Sequence, residues 1–109
     1  MTKRYTVVVA ARFDERLLEI DDYLAERSEK TAARVTKEIL AKVESLTTMP
    51  KRGRSVPEID DDDIRELLAV SSTYRIIYRV DEDRALVEVR TVVHAAREFP
   101  VDDLADDAE

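Results

Sequence analysis

The spacing of the apolar residues changes at Pro50, and this change constrains the fold more than any other feature of the sequence. Before Pro50, apolar residues recur every three or four positions, which is the period of an amphipathic helix. After Ile64 they alternate with polar residues or form short blocks, which is typical of β-strands. The chain is therefore predicted to have a helical part followed by a sheet.

Two helices are predicted before Pro50, roughly over residues 12–27 and 29–48. Ser28 lies between them and is the predicted N-cap of the second helix, because its hydroxyl can accept from an unpaired helical N–H. So short a join predicts an antiparallel helical hairpin. The apolar stripes are Phe13, Leu17, Ile20 and Leu24 in the first helix and Ala32, Val35, Ile39, Val43 and Leu46 in the second.

The strand candidates lie on both sides of this hairpin. A valine-rich strand, Tyr5–Ala11, precedes it, and residues 50–63, with two prolines and the only glycine, form a loop after it. Three further strands are predicted at Ile64–Val70, Tyr74–Val80 and Ala85–His94. Short polar links of hairpin length join these three strands. The β-α-α-β-β-β order predicts an α+β fold with an antiparallel sheet and the helical hairpin packed on one face.

The length and charge of the chain limit its organisation. With 109 residues it is predicted to be one domain over residues 1–100. Residues 101–109 contain five acids and no base, which predicts a solvated or disordered acidic tail. The net charge of −7 disfavours non-specific binding to nucleic acid.

The composition also excludes several kinds of site. There is no cysteine and only one histidine, His94, so disulfide frameworks, thiolate metal sites and histidine metal clusters are excluded. The acidic run Asp60–Asp63 resembles a metal site, but consecutive carboxylates in a loop point in different directions. No metal, cofactor or small-molecule substrate is therefore expected. No targeting or membrane-spanning segment is visible, so a cytoplasmic location without a membrane partner is expected.

The stretch "YRIIYRV" at residues 74–80 raises a question of chemistry. Alternation places Arg75 and Arg79 on the sheet face away from the helices. An antiparallel arrangement could gather these arginines with Arg65, Arg90, His94 and Arg97 on one concave surface. Guanidinium groups bind phosphate and histidine moves protons, a combination that suits RNA cleavage by an internal 2′-hydroxyl.

The same residues have a second interpretation. The arginines can pair with Glu66, Glu88 and the turn at Asp81–Asp83, while His94 is a surface or packing residue. Exposed ion pairs of this kind contribute little to stability. The residues alone leave both interpretations open.

The run "GRSVPEI…IRELL…YRIIYRV…VVHAAR" resembles the RelE/ParE superfamily of toxins from type II toxin–antitoxin systems. The resemblance covers roughly residues 5–99. The residues that carry it are Gly53, Arg54, Val56, Pro57 and Glu58 in the loop, Ile64, Arg65, Glu66 and Leu67 in the next strand, Tyr74–Val80, and His94 with Arg97.

The resemblance implies a toxin that stops growth when free and is neutralised by a cognate antitoxin in a hetero-oligomer. The antitoxin would wrap the helices and sheet, and operator DNA would be bound only through it. Plasmid stabilisation is the associated role. RelE-like members cleave mRNA in the ribosomal A site, whereas ParE-like members inhibit DNA gyrase, so the target is either the ribosome with its mRNA or gyrase.

Gyrase inhibition is narrowly favoured for this chain. Phe99 stands where several nucleases place a tyrosine, and a phenyl ring cannot transfer a proton. The alternative is a ribosome-dependent mRNA endonuclease, for which the candidate catalytic residues are Arg65, Arg75, His94 and Arg97. The resemblance points to His94 and Arg97, and the chemistry of phosphate stabilisation points to Arg65 and Arg75. A second alternative is a degenerate toxin that acts only as an antitoxin-binding module. The sequence thus leaves open whether the protein is an enzyme.

Overall fold

The computed structural model describes residues 3–104 and confirms the predicted α+β architecture. The helices are α1 (Ala11–Ala25) and α2 (Glu29–Glu44). The strands are β1 (Thr6–Val9), β2 (Arg54–Ser55), β3 (Ile64–Ala69), β4 (Tyr74–Asp81) and β5 (Leu86–His94). Short 3-10 turns lie at Ser45–Thr47, Pro50–Arg52 and Val101–Leu104.

The sheet has five strands in the order β1-β5-β4-β3-β2, and it differs from the prediction in two ways. Strands β2 to β5 pair antiparallel, but β1 runs parallel to β5, so the sheet is mixed rather than antiparallel. In addition, β2 forms within the predicted loop and pairs with β3. Alternation of side chains does not encode strand direction, which is set by the connections.

The helical hairpin covers one face of the sheet, here called the helix face. The Ser28 hydroxyl accepts from the Thr31 N–H at 3.1 Å, which confirms the predicted N-cap of α2. The stripes of both helices pack against apolar residues of β4 and β5. This core includes Phe13, Leu17, Val35, Ile39, Tyr74, Ile76, Tyr78, Val87, Val89 and Val92. Within residues 3–104, neither helix is long and apolar enough to cross a bilayer.

The opposite face, here called the second face, carries a smaller apolar cluster. Val56, Ile64, Ile77 and Val93 are buried there, with Ile59, Phe99 and Leu104 packed against them. The covering residues come from the loop after β2 and from the C-terminal segment. The second face is therefore partly closed rather than fully open to solvent.

The start of the expected acidic tail is ordered against this domain. The sequence predicts solvated residues from position 101, but residues 101–104 form a 3-10 turn in which Asp103 is only 4% exposed. The physical reason is that Arg12 and Arg16 neutralise the Asp103 carboxylate. Residues 105–109 of the expected tail lie outside the described residues.

Candidate functional site

Two of the candidate nuclease residues lie on the helix face. Arg65 is in register with Tyr78, and His94 is in register with Tyr74. Both tyrosines belong to the core under the helices. Because residues directly opposite each other on paired strands share a face, Arg65 and His94 project to that side of the sheet.

Arg75 lies on the opposite side. It is in register with Val93, which belongs to the apolar cluster of the second face. Arg97 is exposed in the turn after β5. The structure therefore does not bring Arg65, Arg75, His94 and Arg97 together on one surface.

A β-bulge explains why alternation along β5 fails. Ile77 is in register with Thr91 and Tyr78 with Val89, so Arg90 is the extra residue of the bulge. Such an insertion exchanges the faces of the residues beyond it. The spacing of Arg90 and His94 predicts that they share a face, but the bulge places them on different faces. Arg90 instead donates a hydrogen bond to Glu88 at 3.1 Å.

Arg75 is held in a buried ion-pair cluster. Its Nε donates to Glu66 at 2.6 Å, and its two terminal nitrogens donate to Glu58 at 3.1 and 2.7 Å. The other oxygen of Glu66 accepts from Arg54. The side chain of Arg75 is 8% exposed and that of Glu66 is 0% exposed. The Phe99 ring lies under the guanidinium, 5.0 Å from its carbon.

The positive charge of Arg75 is balanced by carboxylates within this cluster. Two arginines face two glutamates, so the group is neutral. The hydrogen bonds from Arg75 hold the pKa of Glu58 below its ordinary value, and Glu58 in turn raises the pKa of Arg75. Arg75 is thus one member of a paired set on the second face, and its removal would leave the buried Glu66 carboxylate poorly compensated.

Arg65 and Gly53 serve the packing of the loop on the sheet. Arg65 donates to the carbonyl of Gly53 at 2.9 Å and to that of Lys51 at 3.3 Å. A Cβ on Gly53 would lie 2.1 Å from the Tyr78 hydroxyl and 2.6 Å from the Glu66 carbonyl oxygen. Glycine is required here because the loop passes so close to β3 and β4.

Tyr78 also holds this loop against the sheet. Its buried hydroxyl donates to the Pro50 carbonyl at 2.6 Å, and burial raises the pKa of Tyr78. The residues Gly53, Arg65 and Tyr78, which carry much of the sequence resemblance, therefore join the loop to the sheet.

His94 lies at the exposed end of β5. Its Nδ1 accepts from the Ala96 N–H at 3.0 Å, and its ring meets Tyr74 edge-on with centroids 5.4 Å apart. These contacts fix the ring but do not connect it with Arg75, which lies across the sheet.

A surface groove with a volume of about 1010 Å³ lies between β1 and the helical hairpin. Its apolar lining includes three exposed residues: Leu18 (60% exposed), Leu40 (46%) and Val9 (44%). Its charged lining residues are Asp14, Asp21, Lys37 and Glu44. The strand β1 forms one edge of the sheet beside this groove. Contiguous exposed apolar surface is a common feature of protein-contact and ligand-binding sites.

Sequence analysis did not predict this groove, although two adjacent apolar pairs signal it. Leu18 follows Leu17, and Leu40 follows Ile39. In each pair the first residue is buried in the core and the second is exposed in the groove. By contrast, no pattern in the C-terminal residues distinguishes the buried Asp103 from the exposed Asp102.

Comparison with known proteins identifies one family over most of the chain. The family model described as the ParE toxin of the type II toxin–antitoxin system parDE matches residues 7–99. No curated protein compared with the sequence gives a significant match.

Several solved structures share the fold. The chromosomal ParDE toxin–antitoxin system from P. aeruginosa matches with a TM-score of 0.68 and 15% identity, over 84% of this chain and 97% of that chain. A mutant of the E. coli toxin RelE in the free state matches with a TM-score of 0.60 and 18% identity, over 85% of each chain. The toxin–antitoxin complex RelBE2 from Mycobacterium tuberculosis gives 0.57 and 22%, over 86% of this chain and 94% of that chain.

Proposed function

Since this chain belongs to the ParE toxin family of type II toxin–antitoxin systems, we propose that it inhibits DNA gyrase when free and is neutralised by a cognate antitoxin. Its action is then in the cytoplasm, and it reaches operator DNA only through the antitoxin.

We favour gyrase as the target because the candidate nuclease residues lie apart from one another. Cleavage of RNA needs a base, an acid and cations around one phosphate. Arg75 lies on the face opposite to His94 and is neutralised by Glu58 and Glu66. A toxin that acts through a contact surface needs no such constellation, which favours inhibition of a protein target.

The groove between β1 and the hairpin supports the antitoxin as partner. Its apolar floor and the carboxylates Asp14, Asp21 and Glu44 suit an amphipathic helix whose apolar ridge is flanked by lysine or arginine. The similar RelBE2 structure is a toxin–antitoxin complex, and the similar ParDE structure is that of a toxin–antitoxin system. We therefore place the antitoxin helix in this groove.

The target is tested with the purified wild-type chain in two parallel assays. We expect it to inhibit DNA supercoiling by gyrase and to trap cleaved DNA, while mRNA on translating ribosomes stays intact. A-site cleavage of mRNA without inhibition of gyrase would overturn the proposal. Inactivity in both assays, with retained antitoxin binding, would instead indicate a degenerate toxin.

The antitoxin site is tested by charge substitutions in the groove. Leu18→Glu and Leu40→Glu should each weaken binding of the protein encoded by the adjacent gene about thirtyfold or more, which is the effect of losing a hot-spot residue. Tyr23→Glu is the matched control, because Tyr23 is 53% exposed on α1 but does not line the groove. Equal losses for all three variants would contradict the assignment.

A further inference from the structure

The C-terminal residues 99–104, here called the strap, are attached to the domain by side chains. The backbone hydrogen bonds of the strap are local, from Val101 to Phe99 and from Asp103 to Pro100. Within residues 3–104, no backbone hydrogen bond joins the strap to a strand. Release of the strap therefore leaves the ladder of the sheet intact.

Asp103 is the polar anchor of the strap. Arg16 binds its carboxylate through two nitrogens, at 2.7 and 2.8 Å, and Arg12 donates to it at 3.2 Å. The Thr91 hydroxyl donates to the same carboxylate at 2.8 Å. The side chain of Asp103 is 1% exposed, so these bonds are shielded from water. Two arginines on α1 thus require a carboxylate at this position.

Phe99 and Leu104 are the apolar anchors. Both pack against the cluster of the second face, which contains Ile64, Ile77 and Val93. The ParE family model ends at residue 99, so Asp103 and Leu104 lie beyond the matched region. In the strap, the aromatic residue Phe99 is followed four positions later by Asp103 and then directly by Leu104.

We propose that the surface beneath the strap is a peptide-docking site, and that the strap is an exchangeable ligand which a partner segment of the same chemistry replaces. That segment carries an aromatic residue, an aspartate four positions later and then an apolar residue. Its carboxylate is required because Arg12 and Arg16 face the vacated position. The site is separate from the groove beside β1 and does not depend on the proposed gyrase target.

The test uses the full chain and a fluorescent synthetic peptide with the sequence of residues 97–104, REFPVDDL. The wild-type strap competes with this peptide at high effective concentration, so wild type should bind it weakly. Asp103→Asn weakens the strap and increases the fraction of chains with an open site. Because apparent affinity scales with that fraction, we expect this variant to bind the peptide about tenfold more tightly.

Three controls make the test specific. Asp102→Asn changes the exposed neighbouring aspartate and should bind like wild type. A peptide with asparagine in place of Asp103 should not bind. Arg16→Gln combined with Asp103→Asn removes the receptor for the carboxylate and should abolish the gain.

The folded state of each variant is checked by circular dichroism. If Asp103→Asn does not fold, Leu104→Ala loosens the strap at its apolar end and should show the same gain in peptide binding. Failure of the folded variant to bind more peptide than wild type would overturn the proposal. Dimerisation of Asp103→Asn without peptide binding would assign the site to a second copy and overturn it equally.

Discussion

The two faces of the sheet are built from the same strands but closed by different forces. On the helix face, β4 contributes Ile76 and Tyr78 to an apolar core beneath α1 and α2. On the second face the same strand contributes Ile77 to a small apolar cluster and Arg75 to a buried ion-pair cluster. An arginine on a sheet face is therefore available to a ligand only if no other segment supplies a carboxylate to it.

The loss of unfolding free energy that a substitution causes should also differ between the two faces. Loss of apolar area costs free energy roughly in proportion to the area removed. Loss of one member of a buried ion pair leaves an uncompensated charge and costs far more than its area. We therefore expect the second face, although smaller, to contain the position most sensitive to substitution.

The largest expected effect is at Arg75. Arg75→Ala leaves the fully buried Glu66 with only Arg54, which is 61% exposed, so the free energy of unfolding should fall by about 3–5 kcal/mol. Arg79→Ala is the matched control on the same strand and face, because Arg79 is 44% exposed and lies 3.9 Å from Asp63. Its effect should stay below about 1 kcal/mol. Urea unfolding measures both, and equal effects would refute the structural role of Arg75.

A second test concerns the loop at Gly53, which packs closely against β3 and β4. Gly53→Ala should lower the free energy of unfolding by about 1–3 kcal/mol, because its Cβ would overlap the Glu66 carbonyl and the Tyr78 hydroxyl. Ser55→Ala, two residues away and exposed, should change it by less than about 0.5 kcal/mol. A neutral Gly53→Ala would show that the loop does not pack as described.

Tyr78→Phe should cost about 1–2 kcal/mol of unfolding free energy, since the buried Pro50 carbonyl loses its donor. The variant also removes the atom nearest to a Cβ on residue 53. Gly53→Ala should therefore cost less in the Tyr78→Phe background than in wild type. Additive effects in this double-mutant cycle would contradict the contact.

The C-terminal anchor should make stability depend on pH. Hydrogen bonds from Arg16 hold the pKa of Asp103 below its ordinary value. The stabilisation is therefore present above the unfolded-state pKa of about 4 and is lost as the pH falls through the lower folded-state pKa. Asp103→Asn should be less stable at pH 7 and should lose less stability than wild type on acidification. Thermal unfolding measures this from pH 7 to pH 2. If the melting temperatures of wild type and Asp103→Asn fall by the same amount over this range, this role of Asp103 is refuted.

Much of the fold could be predicted from the sequence because it follows from local spacing. The stripes of α1 and α2, the cap at Ser28 and the strands after Ile64 each depend on residues close together in the chain. The parallel direction of β1 and the two-residue strand β2 depend on long-range pairing, which local spacing does not encode.

The candidate site was less predictable for the same reason. Alternation correctly placed Arg75 away from the helices, but the bulge at Arg90 interrupted the alternation that leads to His94. Whether Arg75 is free depended on Glu58 and Glu66, which are 17 and 9 residues away. The roles of the four candidate residues in any catalysis remain predictions.

The smallest expected effect, and the most direct test of the proposed mechanism, is that of His94→Ala on growth arrest. We expect cells that express this variant without antitoxin to stop growing as they do with wild type, and to show filamentation and the DNA-damage response. The reason is that His94 and Arg75 lie on opposite faces of the sheet, so they do not meet around one phosphate. Loss of toxicity in a folded variant that still binds antitoxin, together with loss of A-site mRNA cleavage, would contradict the mechanism.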